Sequence, residues 1–582
     1  MGVIVRVAAG IFPCFCSRPQ NRVIMSMQPH PWPAVPAGTA RVAKRAFRKG
    51  SLAMRARDEL GAWCQDEAFR VTYGTRGAPG ISPAQLAMVT VLQFTEDLTD
   101  RQAADAVRGR LDWKYCLGLE LDDEGFDFSM LSEFRDRLVA GAMEAALLDA
   151  LLARLGELGL VGAGMPQRTD STHVLGRVRD LNRLELAGET VRAALEALAA
   201  AAPDWLASVI DASWVEVYGQ RIDSWRLPAS DAKRTQLAAR YGADGYHLLE
   251  AVRAPGAPAW LAGLPAVQAL RRIWIQQFCL EQGAGGEKVI WRGDGQGLPP
   301  ARSRLVSPYD TDARYAQKRG TGWTGYKVHL SETCHIPDAA GRRPAPNLIT
   351  NTETTLAPVT DVEMTEPVHH ALARRGLRPG EHAADSGYAS ADLLLAARAR
   401  GITLLAPVPP DSSPQARSGG YTADMFTIDW EHEQVTCPQG AVSSSWTPAR
   451  SKGTNIIIAR FAKPTCQPCP ARARCTTAVR SGRQLSFRHR QFHEALTAAR
   501  TGQAGDDWQR RYRIRAGIEG TIAQATHVTG IRRARYLGLD KTRLEHNTAA
   551  AAINLIRLDA WWTGQPLDRT RTTHLQRLDL AA

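Results

Sequence analysis

No apolar run in this chain of 582 residues approaches the roughly 18–20 needed to span a bilayer, which argues against a membrane-embedded protein. A clear secretory leader is also missing. The stretch Val3 to Cys16 is apolar, but it carries only Arg6 as a basic residue, is interrupted by Pro13, and has no clear small-x-small cleavage site behind it. Met25 and Met27 precede a more ordinary beginning, so residues 1–27 are expected to be an over-extended, disordered start. Cysteine is sparse, ten residues in all, with four of them clustered late. With no sign of secretion, reduced thiols in a cytoplasm fit better than a disulfide framework. Acidic charge falls short of basic: Asp+Glu number 59 against Lys+Arg 72, a net charge of +13. That balance favours a polyanionic partner through counterion release, although a soluble protein that is simply basic gives the same figure. Hydrophobic residues make up 44%, which excludes a disordered chain, and the length suits two to four domains.

What is present begins with a Pro-rich stretch (Pro29, Pro31, Pro33, Pro36) and a basic run from Arg41 to Arg57. Helical patterning opens at Ser82, with Pro83 in the first turn and Leu86, Val89, Leu92 and Phe94 as the apolar face. A second helix starts at Thr99, where Gln102 completes a capping box, and a third runs from Phe128 through Leu138. Short helices joined by tight turns, with Arg101, Arg108, Arg110 and Lys114 outside, fit either a helix-turn-helix type of DNA-binding domain or a plain bundle. We read residues 28–165 as a helical DNA-binding domain. A strand is expected at Gln167–Val174, with Asp170 inside it. Leu/Ala patterning at spacings of three and four then marks a helical insertion over 178–285.

Strand character resumes at Trp323–Leu330, and Asn347–Leu356 is its expected antiparallel partner. A helix follows Thr360, with Glu363 completing a capping box and Gly376 as the stop. Next comes a compact β-α-β unit in which Asp385 lies at the C-terminal edge of its first strand, where open α/β sheets place their sites. Residues 410–495 read as a β-rich, Cys-containing insertion. Helix 507–527 carries Glu519, Gly530 ends it, and a last helix spans about 541–558. A tail, 561–582, begins with Trp561 and Trp562, expected to cap the last hydrophobic cluster.

The chemistry concentrates in Tyr512–Arg513–Ile514–Arg515–Ala516–Gly517–Ile518–Glu519. At about 100° per residue, Tyr512, Arg515 and Glu519 share one helix face. A carboxylate among so many arginines is costly unless it has work, and Asp170 and Asp385 give it partners. Two strand-end aspartates and a helical glutamate can hold a pair of divalent cations, the usual arrangement for phosphodiester hydrolysis and transesterification. Each acid alone is weak evidence, since most Asp-Ser and Asp-Gly sequences are turns or caps.

The ordered set Thr-Asp-Ser-Thr-His (169–173), Ala-Asp-Ser-Gly-Tyr (384–388) and Tyr-x-x-Arg-x-x-x-Glu (512–519) resembles the DDE transposases of bacterial insertion sequences. Residues 81–138 are similar to the helical domain that precedes the core in one large branch of them. The resemblance runs from about Met27 to Leu558. It implies an α/β fold with a ribonuclease-H-like catalytic core, a mixed sheet flanked by helices, over 166–560, interrupted by the two insertions and preceded by an all-α domain. It also implies strand cleavage and strand transfer on double-stranded DNA, at element ends and target. Asp170, Asp385 and Glu519 would be ligands to two Mg²⁺ ions, with Mn²⁺ able to substitute. Tyr512 and Arg515 would orient the DNA end or support Glu519. Synapsis of two ends implies a homodimer or higher oligomer, in a bacterial cytoplasm at the nucleoid. One departure stands out: the related motif often has Lys seven residues after the Glu, and here Thr526 takes that place. Arg532, Arg533, Arg535 and Lys541 are the substitute DNA contacts. They belong to a stretch with nine Lys/Arg from Arg510 to Arg543 against Glu519 and Asp540. The alternatives are a stand-alone metal-dependent nuclease on the same fold and a decayed, non-catalytic DNA-binding relic.

Cys437, Cys466, Cys469 and Cys475 form a second constellation. Cys466-x₂-Cys469 is a metal-knuckle spacing, and four thiolates would make a closed structural zinc site. The gap to Cys475 is loose and there is one CxxC alone, so reduced thiols packed in a small β-insertion are the alternative. Neither reading gives these residues a catalytic role. His173, Lys327 and His329 receive none either. Lys327 and His329 share a strand face that could reach the cleft, as an exposed face would.

Overall fold

The computed structural model describes residues 25–283, 286–293, 297–318, 320–335 and 344–565. Residues 1–24 of the expected disordered start and 566–582 of the expected tail lie outside the described residues.

Among the described residues, seven helices come first: α1 (Ala37–Ala46), α2 (Leu52–Leu60), α3 (Pro83–Thr95), α4 (Asp100–Gly109), α5 (Leu111–Leu117), α6 (Ser129–Ala140) and α7 (Ala146–Glu157). Local chemistry sets their starts as the sequence suggests. The Ser82 hydroxyl accepts from the Gln85 N–H with Pro83 in the first turn, and Thr99 and Gln102 close a capping box. Helix α3 is buried almost all round, the mark of a helix at the centre of a core rather than at its surface.

The sheet follows. Strand β1 (Gln167–Leu175) leads into a helical segment built on α8 (Arg183–Ala201), α9 (Asp231–Ala251) and α10 (Pro265–Gln277), closed by the hairpin β2 (Phe278–Gly283)–β3 (Gly286–Trp291). This segment packs on its own cluster around Val191, Leu198, Leu248 and Trp274, which is why it can interrupt the sheet without disturbing it. The chain returns through β4 (Arg314–Lys318), β5 (Thr321–Thr333) and β6 (Ile349–Leu356), crosses by α11 (Asp361–Arg374) to β7 (Glu381–Ala384), and by α12 (Ala391–Ala399) to β8 (Thr403–Leu405). The order across the sheet is β8-β7-β1-β5. The far edge of β5 carries β6 along Tyr326–Glu332 and β4 along Thr321–Gly325. Strands β8, β7 and β1 are parallel and the remaining pairs antiparallel. A mixed sheet flanked by helices, after an all-helical region and with insertions between its strands, is consistent with the expected ribonuclease-H-like core.

A small antiparallel sheet, β9 (Ser445–Ser451), β10 (Thr454–Arg460) and β11 (Gln484–Phe487), holds its own core of Val435, Ile457, Phe461 and Leu485. The last four helices of the described residues are α13 (Arg490–Gln503), α14 (Asp506–Tyr512), α15 (Gly517–Thr529) and α16 (Leu539–Trp562). The single helix expected over 507–527 is instead broken by a 3₁₀ turn at Arg513–Ala516. Arg168 of β1 explains the break. Its guanidinium donates to the Ile514 carbonyl at 2.5 Å, and Gly517 offers the space, since a Cβ there would meet that guanidinium.

The core joins the two ends of the chain. Leu86, Leu92 and Phe94 of α3, Val328 and Leu330 of β5, and Ile553 and Leu555 of α16 belong to one cluster, against which Trp561 and Trp562 pack as expected. Asn554 of α16 stitches helix to sheet, donating to the Ile349 carbonyl (2.8 Å) and accepting from its N–H (2.7 Å).

At the centre lies the fully buried carboxylate of Glu332 on β5. It accepts from Arg168 (2.6 Å) on β1, Arg557 (2.6 Å) on α16 and Thr521 (2.6 Å) on α15. Burial alone would raise its pKa, but Arg557 and Arg168 outweigh it and hold the group below the ordinary carboxylate range. The stabilisation is therefore present above the unfolded carboxylate pKa and is lost as pH falls through the lower folded value. Glu332→Ala strands two arginines in the core and is expected to cost about 3–5 kcal/mol, read as a lower urea midpoint. A midpoint equal to wild type would refute this account of the core.

Candidate active site

The register of two parallel strands makes the site. The last paired residues of β1 and β7 are Thr169 and Ala384, and the next residue on each is an aspartate, Asp170 and Asp385. Because β7 stops there while β1 runs on to Leu175, the sheet opens at this step and leaves the two carboxylates side by side at a notch. The first candidate acid is nearly buried. The Ser171 N–H donates to Asp170 Oδ1 at 2.8 Å, and Arg515 donates to Oδ2 at 2.5 Å. The same guanidinium reaches Glu519 at 3.0 Å, so Arg515 bridges the first and third candidate acids. Asp385 accepts from the Gly387 N–H at 2.8 Å, a turn contact that leaves the carboxylate open to the notch.

Charge in the notch is tightly coupled. Burial raises the pKa of Asp170, Arg515 opposes this, neighbouring Asp385 adds to it and Lys318 opposes it. The Tyr512 phenol is likewise pushed up by burial, with Arg515 opposing and Asp385 and Asp170 adding. Tyr512 stacks on Trp508, with ring centroids 4.7 Å apart. Arg515 Nε is a buried donor without a partner, aimed at no acceptor of the protein.

The donor set fits a hard divalent cation, being carboxylate oxygen throughout. That a guanidinium is drawn between Asp170 and Glu519 shows the field these acids exert on a cation. The side chain of Glu519 is 69% exposed, however, and among the described residues no three acidic, histidine or cysteine side chains are gathered to hold an ion as they stand.

A second set of groups borders the notch, most of it unread from the sequence. Asp361, the first residue of α11, accepts from the Ser171 hydroxyl (2.9 Å) and from Lys327 (3.2 Å), and lies 3.6 Å from Lys318. Burial raises its pKa, but Lys327, His329, Lys318 and the Ser171 hydroxyl together bring it below its ordinary value. His329 shares a 2.6 Å hydrogen bond with the buried Tyr388 hydroxyl. A Cβ on Gly387 would press on both Asp385 (2.9 Å) and Asp361 (3.3 Å), so the two carboxylates enclose that glycine. In sequence, Asp361 looks like a first-turn acid placed to suit the helix dipole. Its strand partners lie too far along the chain for any local pattern to reveal them. His173 sits against Trp323, with centroids 5.8 Å apart.

The four candidate DNA contacts divide. The segment 532–534 runs beside the end of β1, where Leu175 N–H donates to the Arg532 carbonyl (2.8 Å) and Ala534 N–H to the Leu175 carbonyl (2.9 Å). Arg533 is exposed there. Arg532 donates to the Thr172 hydroxyl at 2.9 Å. Arg535 pairs with Asp97, donates to the Leu98 carbonyl and lies 4.3 Å over the Phe94 ring, while Lys541 pairs with Asp136 at 2.7 Å. Arg535 and Lys541 thus tie the N-terminal helices to the core.

Cys437, Cys466 and Cys475 pack against the small β-sheet core, and Cys469 follows on the turn after Cys466. Burial raises the Cys475 pKa, Arg483 opposes it, and the thiols of Cys466, Cys437 and Cys469 add to it, but among the described residues no three cysteines are gathered closely enough to hold an ion.

Residues 436–559 match the family model described as a transposase DDE domain, and residues 51–137 match one described as a transposase domain. The first match takes in the cysteines, Tyr512, Arg515 and Glu519. Asp170 and Asp385 lie outside both. These matches support membership of the transposase families for the two regions, and with it a role in DNA transposition in general terms. No curated protein matches the chain. Among the described residues no helix is long and apolar enough to cross a membrane.

Gly517→Ala tests how the third acid is positioned. Its Cβ would displace the Arg168 guanidinium, and a loss of about 1–3 kcal/mol in denaturant unfolding is expected. A neutral effect would show that Arg168 does not fix the break before α15.

Proposed function

We propose that the protein is a DDE transposase that cleaves and joins DNA strands at the ends of an insertion sequence. The observation that carries this reading is the adjacency of Asp170 and Asp385 at the opening of the sheet, joined through Arg515 to Glu519. Asp170, Asp385 and Glu519 would hold two Mg²⁺ ions, which when bound supply activation of the attacking oxygen and stabilisation of the leaving one. Arg515 already spans two of the acids, and its unpartnered Nε–H is suited to donate to a phosphate oxygen of the DNA end. Water attacks the phosphodiester at the element end and frees a 3′-OH. That hydroxyl then attacks a target phosphodiester in line, forming the new P–O bond as the target strand's own 3′-oxygen leaves, with the same three carboxylates beside it.

The DNA track is proposed to run over Arg533 and Arg532 at the end of β1, with Arg535 and Lys541 contributing field rather than contacts. The four cysteines are proposed to form a structural zinc site in the β-rich insertion. A homodimer or larger assembly would bring two ends together in a bacterial cytoplasm.

The deciding experiment is cleavage of a labelled duplex carrying the element's own end, in Mg²⁺ or Mn²⁺ and then in EDTA. Wild type should cut only with metal. Asp385→Asn and Glu519→Gln should each lose cutting by at least ~10²-fold while still binding. Tight binding without cutting by wild type would replace the enzyme with a DNA-occupying relative. Arg533→Ala should lower the slope of log affinity against log salt by about one, and an unchanged slope would move the track elsewhere.

A further inference from the structure

The motif lacks a lysine seven residues beyond Glu519, and Thr526 does not replace its charge, because its hydroxyl donates to the Ile522 carbonyl at 2.7 Å. Among the described residues, several cations near the notch are committed. Arg515 is held between Asp170 and Glu519, Arg511 pairs with Glu381, and Arg532 bonds Thr172. Lys327 is nearly buried, donating to the Val359 carbonyl (2.7 Å) and to Asp361 (3.2 Å). Lys318 differs. It ends β4 with its side chain 51% exposed, and its ion pair, to Asp361, is a loose 3.6 Å.

We propose that Lys318 is the residue that contacts the phosphate of DNA bound at Asp170 and Asp385, in the role left vacant at Thr526, and that Asp361 is its tether when DNA is absent. This rests on the transposase reading and adds to it a specific cation. The tether is suited to release, because Asp361 keeps Lys327 and the Ser171 hydroxyl when Lys318 leaves, and the contact given up is exposed and screened. Asp361 also accepts from the hydroxyl of Ser171, the residue that follows Asp170, so Lys318 stands at the edge of the notch. The hairpin that carries it is pinned to β1. Gly325 has φ +148, and a Cβ there would collide with the Val174 carbonyl and the Gly176 N–H. A lysine is a point charge on a flexible stem, able to swing from a carboxylate to a phosphate without moving the backbone.

The test compares the full-length wild type with Lys318→Ala and Lys318→Arg. Binding to a labelled duplex carrying the element's end is titrated over a series of KCl concentrations, and cleavage of the same duplex is followed in Mg²⁺. Lys318→Ala should lower the salt slope by about one and slow cleavage by at least ~10-fold, with an unchanged melting temperature. Lys318→Arg should restore the slope. Equal slopes in wild type and Lys318→Ala would overturn the proposal, as would early melting of Lys318→Ala, which would make the lysine structural. If wild type binds but does not cut, the transposase reading fails, while the slope still decides whether Lys318 touches DNA.

Discussion

The interaction on which the rest depends is the burial of one carboxylate, Glu332, between two arginines. A charge taken fully out of water is expensive, and its cost is met only when partners arrive from several directions. Here Arg168 comes from the strand bearing Asp170, while Thr521 and Arg557 come from the two last helices. Neutralising Glu332 therefore requires those elements to be in place together. Arg168 then uses its remaining nitrogen on Ile514, which breaks the helix and sets where Arg515 and Glu519 sit. The position of the third acid follows from the electrostatics of a residue that never reaches the notch.

Much of this was legible in the sequence, and the part that was legible is local. Ser82-Pro83, the Thr99–Gln102 box, the Thr360–Glu363 box and the stop at Gly376 each depend on a few neighbouring residues, and they bound the helices as expected. Asp385 was readable as a strand-end residue, and Asp170 as an acid inside its strand rather than at its end, because alternation and β-α-β spacing are short-range signals. The 3₁₀ break was not, since its cause is an arginine on a distant strand. Nor was Asp361: its neighbours in the notch are fixed by sheet register and not by spacing. The basic stretch 532–541 read as a uniform DNA track, yet Arg535 and Lys541 are paired with Asp97 and Asp136, acids that composition cannot match to them.

The notch balances charge without letting it cancel completely. Asp170, Asp385, Glu519 and Asp361 face Arg515, Lys327 and Lys318, so each cation lies beside an acid without using up the set. Such a site resists collapse when empty and keeps some of its groups only loosely held. Asp385 and the exposed Glu519 are the carboxylates freest to rearrange, and the buried Asp170 is the fixed point around which they would do so.

The shared core of α3 and α16 has a consequence for the order in which this protein can come into being. Phe94 and Leu555 are buried in one cluster although most of the chain separates them. At ~5–20 residues per second of synthesis, the early helices wait roughly 20–90 s for the partner that covers them. Until then the face of α3 that α16 covers stays exposed, although α4 and α6 already pack against its other sides. Arrival of α16 is thus the step that closes this core, and any message cut short before it would yield a chain whose early helices keep an uncovered apolar face.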